Sequence, residues 1–183
     1  MARLKELQHD LDHRVGARER TNLTLVMAAI VIGVGLFVSR NTSSSTIRPR
    51  DFVMIGVGMV LLTTVLIGIS WRRVAINAIG RRILLLGGLS SVVLLVHRLV
   101  AWVADDRPSD ILATDSLLFA AMCVVAAVTI DAKVAYVVAF PVAGAFASVA
   151  FPAHAAAAFS ASTVALLVAA AVYFNGLSQK DDP

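Results

Sequence analysis

ILLLGGLSSVVLLVHRLVAWV, residues 83–103, is a run of 21 residues in which only a serine pair and His97–Arg98 interrupt the apolar side chains. At 1.5 Å per residue it is long enough to cross the ~30 Å hydrocarbon core of a bilayer as an α-helix. Five more runs of this kind surround it: 21–39, 52–71, 111–130, 133–150 and 155–176. None alternates polar and apolar residues as a barrel strand would, so helices are expected throughout. The expected fold is an all-α integral membrane protein, a compact bundle of six transmembrane helices.

Composition points the same way. Of 183 residues, 58% are hydrophobic and 15% charged, with a mean hydropathy of +0.83. A water-soluble domain of this length cannot bury so much apolar surface. The net charge is +4. Its arginines sit in short segments between apolar runs and form no basic face interleaved with aromatics, so no nucleic-acid partner is expected. The one cysteine, Cys123, lies inside an apolar run, which excludes an intramolecular disulfide and a cysteine-based metal site.

Arginine placement orients the spans. The N-terminal segment carries Arg3, Lys5, Arg14, Arg18 and Arg20, and the second connection, RRVAINAIGRR, carries Arg72, Arg73, Arg81 and Arg82. Both fall on one side of an up-down bundle, the cytoplasmic side, so both termini are expected there, in a cell (inner) membrane. The connection ADDRPSD (104–110) and the turn FPAH (151–154) then face outward. The connection SRNTSSSTIRPR dissents with Arg40, Arg48 and Arg50, and the two more basic segments outvote it. The first twenty residues are too polar for a cleavable signal peptide, which makes the first run an uncleaved anchor.

The N-terminal segment has its own pattern. Leu4, Leu7, Leu11 and Val15 recur at helical spacing, predicting an amphipathic cytoplasmic helix over residues 1–20. Such a helix lies on the inner surface or binds a cytoplasmic partner. His9 and His13 in HDLDH share a face but lack a third committed ligand, so no metal is assigned. Residues 177–183 form a cytoplasmic tail.

Packing signals lie within the spans. VIGVGLFV (31–38) and MIGVGMVL (54–61) place Gly33 and Gly35 at the depth of Gly56 and Gly58, where two backbones are expected to approach. Pro141 predicts a mid-span kink with Gly144 one turn on, a candidate hinge. Ser160, Ser162 and Thr163 among alanines suit a crowded interior or a self-association face, and a homo-oligomer is expected.

The chemistry-bearing residues are His97, Arg98, Asp115 and His154. An ionisable side chain in a span faces the bundle interior by default. The first three fall at comparable depth on runs three and four, and His154 begins run six on the same side. Neighbours on a helix point about 100° apart, so His97 and Arg98 are not expected to address one partner equally. Three readings compete: an Arg98–Asp115 pair fixing helix register, an outward-facing ligand- or proton-sensing pocket, and a metal or haem site on His97 and His154. The surface position of His154 counts against the last, so no cofactor is assigned. No HExxH or GxSxG motif is present, and no catalytic residue is proposed.

An N-terminal amphipathic helix, six short-looped spans and polar residues buried near the outer face (His97, Arg98, Asp115) make the chain resemble the six-helix membrane input modules of bacterial signalling kinases and cyclases. The resemblance implies a non-enzymatic sensor or partner-regulating membrane module. The chain departs from it by stopping seven residues after the sixth run, so an output domain would lie on another polypeptide or a longer chain. The alternative is a small transporter or channel for a neutral solute or protons.

Overall fold

The computed structural model describes residue 12, residues 15–41 and residues 48–179. The amphipathic pattern through Leu4, Leu7 and Leu11, the HDLDH histidines and residues 42–47 lie outside the described residues. The described residues form six α-helices: α1 (Ala17–Asn41), α2 (Pro49–Val74), α3 (Ala78–Ala104), α4 (Pro108–Thr129), α5 (Ala139–Ala150) and α6 (Ala155–Ser178). A 3-10 segment, Ala132–Val138, leads into α5, and a shorter one, Pro152–His154, into α6. Counting those segments, the described residues hold six helical stretches long and apolar enough to cross a membrane. Their outward faces carry Leu61, Ile69, Leu85, Val103 and Val128. Water does not match such a surface. Trp71 and Trp102 sit half-exposed at opposite ends, as in the aromatic belts of membrane proteins.

Several helices outrun the apolar stretches that predict them. Residues 17–20, assigned by sequence to the N-terminal helix, are the first turn of α1. Gly16, at φ 73°, makes the left-handed turn that separates it from the segment before. The expected basic loop over 72–82 shrinks to Ala75–Asn77. Its arginines ride on the ends of α2 and α3, and Asn77 caps α3 by accepting a hydrogen bond from the Gly80 N–H at 2.8 Å.

The helices close a ring that is incomplete at one place. Helix α1 packs on α6, α6 on α5, α5 on α4, α4 on α3, and α3 on α2, while α1 and α2 barely touch. The two glycine patches therefore do not meet. A Cβ on Gly35 would press on Ser160 of α6, and one on Gly56 would meet Leu95 and Arg98 of α3. Gly33 and Gly58 face open space. Equal depth on consecutive spans does not make them neighbours, because α6 takes the place against α1 that α2 was expected to hold.

Pro141 stands just after a change of helix type. It is buried at the third position of α5, where a backbone N–H has no partner within the helix, and the turns before it are 3-10. The fifth span is thus two helix types joined at Val138–Ala139.

Gly144 lets α5 lie against α6. A Cβ there would strike the Ser162 hydroxyl and come within 2.6 Å of the Ser162 Cβ. Gly144→Ala is expected to lower stability by about 1–3 kcal/mol, the usual cost of overpacking. Thermal unfolding in detergent should show that loss, and Ser162→Gly in the same chain should recover most of it.

Candidate functional site

The bundle has two polar ends. The end bearing the Asp105 connection holds the residues singled out by sequence. Arg98 lies six residues before the end of α3, and Asp115 seven residues into α4. Those separations put both about 9–10 Å below the helix ends. The short Asp105–Arg107 connection makes α3 and α4 antiparallel neighbours, so equal depth here does become contact.

Asp115 is completely buried and is the centre of the site. Its Oδ2 accepts from Arg98 Nε at 2.8 Å and lies 2.8 Å from Arg98 Nη2. Its Oδ1 lies 2.7 Å from His97 Nδ1. One carboxylate is therefore shared by two consecutive residues, against the expectation that only one could address it well. The α3–α4 contact line runs between the two side chains, and each takes a different oxygen. The length of arginine covers the remaining angle.

Arg98 is 5% exposed and ties in a third helix. Its Nη1 donates to the Phe52 carbonyl at 3.3 Å, and its guanidinium lies 5.9 Å from the Phe52 ring centroid, within cation–π range. Gly56, one turn along α2, leaves space for the Arg98 stem, whose Cδ would be 3.5 Å from a Cβ there. Phe52, Ala101, Ile111, Leu112 and Ala155 pack as an apolar cluster at this end. A buried ion pair in such surroundings needs the hydrogen bonds it has, because water cannot supply them.

His154 does not join the three. It is exposed in the 3-10 turn before α6. No group of three or more candidate metal ligands occurs among the described residues.

A cavity of about 300 Å³ adjoins the site. It runs from Arg98 and Phe52 towards Thr24 and Ile83 near the other end, walled by α1, α2, α3 and α6 with contributions from α4. Its lining is apolar apart from Arg98 and a few hydroxyls.

The second polar end was not singled out by sequence. Asn77, fully buried, donates to the carbonyls of Asp12 at 2.9 Å and Val15 at 3.3 Å. Arg20 Nη2 donates to the same Val15 carbonyl at 2.8 Å, and the guanidinium lies 5.5 Å from the Phe174 ring centroid. The Tyr173 hydroxyl donates to Asp131, and that of Tyr136 to the Ala169 carbonyl. Asn77 three residues before Gly80 was a legible cap signal. The Tyr173–Asp131 pair spans 42 residues and leaves no local pattern.

Comparison with protein-family models, curated proteins and solved structures finds no match to this chain.

Proposed function

We propose that the chain is a non-enzymatic multi-pass membrane module that senses through the His97–Asp115–Arg98 centre, with that centre towards the outside and both termini in the cytoplasm. The observation that carries this reading is the shared Asp115 carboxylate. It is fully buried, clamped by Arg98, and linked through Oδ1 to the one member of the trio with partial exposure, His97, whose side chain is 19% exposed.

The chemistry suits a reporter. With Nδ1–H donated to Asp115, neutral His97 keeps Nε2 as its basic nitrogen. A proton or a donor arriving at Nε2 changes the charge balance around Asp115. Because Arg98 bridges α2, α3 and α4, that change acts on three helices at once. Residues 1–20 are the proposed contact for a cytoplasmic partner, and association with further copies through the small-residue helices belongs to the same reading.

The cavity lining is mostly apolar, with Arg98 its one charged side chain, which disfavours an ion path; of its hydroxyls, Thr24, Ser90 and Thr163 donate back to their own helices and Ser91 pairs with Thr63. Proton and solute flux into liposomes tests this. We expect wild type, His97→Ala and Asp115→Asn to match empty liposomes at both acidic and neutral pH. Flux in the wild type that either substitution removes would replace the sensor with a transporter.

A further inference from the structure

We infer that the cavity beside Arg98 binds a single acyl chain whose ester carbonyl accepts hydrogen bonds from Arg98. This deepens the sensor reading by naming the ligand class at the same end of the bundle.

The shape comes first. Along α3 the lining extends from Ile83 to Arg98, which is about 22 Å of helix, most of a hydrocarbon core. A volume of about 300 Å³ spread over that length is a slender slot. It suits an extended chain better than a compact molecule. The slot is walled in part by α1 and α2, which barely pack on each other. A chain can therefore enter sideways from surrounding lipid without unfolding a helix.

The one charged group of the lining, Arg98, sits at one end. A guanidinium carries five N–H donors. Arg98 uses Nε and one N–H of Nη2 on Asp115 and one N–H of Nη1 on Phe52. One N–H on each terminal nitrogen is left, on a side chain that lines the slot and is only 6% exposed. Such donors need an acceptor, because leaving them unmade in an apolar setting is costly. Asp115 already balances the Arg98 charge, so a neutral carbonyl satisfies the donors without adding net charge. Farther along, Thr24, Ser90 and Thr163 donate to their own helix backbones, and Ser91 to the Thr63 hydroxyl and the Gly87 carbonyl, so most of the remaining wall is offered to hydrocarbon.

Photolabelling of the purified full chain in detergent tests the assignment. The probes are a monoacylglycerol with a diazirine at mid-chain and an alkane with the same diazirine. The ester probe is expected to label α1, α2 and α3 residues of the slot, and the alkane about tenfold less at equal concentration. Gly87→Leu puts a side chain where a Cβ meets nothing within 4 Å, so it should fill the slot and leave the Asp115 centre intact. It should cut ester labelling about tenfold, the penalty for excluding a few methylenes of chain. Gly68→Leu, equally unobstructed but outside the slot, should not. Met59→Phe, from the facing wall, is a second block should Gly87→Leu fold poorly. Competition by a diacyl phospholipid identifies membrane lipid as the source, and competition by monoacylglycerol alone identifies a free amphiphile. Labelling that survives both blocking variants, or is equal for alkane and ester, overturns the proposal. Neither result depends on the flux measurement, which judges the sensor reading by itself.

Discussion

Asp115→Leu is expected to destabilise the bundle by about 3–5 kcal/mol, the cost of leaving one member of a buried ion pair without the other. The size follows from what remains. Arg98 cannot shed its proton, so the substitution strands a permanent cation that is 5% exposed and has only the Phe52 carbonyl and ring for company. Arg98→Met should cost less. Asp115 would keep its hydrogen bond with His97 at 2.7 Å, so the carboxylate is not left without a partner. Joining the two changes should recover most of the loss, since two well-packed apolar side chains replace a desolvated pair. Denaturant or thermal unfolding in detergent, read by circular dichroism, ranks the variants. A single Asp115→Leu variant within about 0.5 kcal/mol of wild type would mean that the carboxylate holds nothing together. A double variant no better than the single one would mean that the stranded Arg98 charge is not the source of the loss. The double variant also separates stability from the proposed sensing: it should fold and, on that proposal, lose the response assigned to His97.

The contrast between the two bundle ends explains what could be read from the sequence. His97, Arg98 and Asp115 were legible because ionisable residues inside apolar runs are rare, and because a short connection forces their helices to be antiparallel neighbours. Hydrophobic run length marked all six long apolar helical stretches among the described residues for the same reason. The ring order was not legible. Apolar helices have little rotational asymmetry, and nothing in VIGVGLFV says that Gly35 will meet Ser160 of α6 and not Gly56 of α2. The slot is a consequence of that order, so it was hidden as well. His154 does not join the other three because the helix that follows it starts one residue later, which leaves it on an exposed turn. Sharing of one carboxylate by consecutive residues was missed because the 100° rule describes Cβ directions, and long side chains bend around it.

Gly80→Ala is expected to be the most damaging small substitution in the chain, although alanine is the better helix former. Gly80 is the third residue of α3, and its N–H donates to Asn77 Oδ1. A Cβ at this position would collide with the backbone carbonyl of Val74, the last residue of α2, and come within 2.8 Å of that carbonyl carbon. No side-chain rotation relieves a clash with backbone. Val74 is itself buried, and only Ala75–Asn77 connect the helices, so the turn has no slack. The loss should reach about 3 kcal/mol or more, at the upper end of overpacking costs. Asn77→Ala keeps the backbone path and loses the cap together with the bonds to Asp12 and Val15, for about 1–2 kcal/mol. Gly87→Ala on the same helix meets no neighbour and should instead gain about 0.5–1 kcal/mol. Limited trypsin digestion gives a local readout beside global unfolding, because Arg72, Arg73, Arg81 and Arg82 flank the turn. Cleavage there should accelerate sharply in Gly80→Ala, moderately in Asn77→Ala and not at all in Gly87→Ala. If Gly80→Ala and Gly87→Ala behave alike, the close approach of α3 to the end of α2 is wrong, and with it the three-residue turn that sets how the two helices lie along the slot.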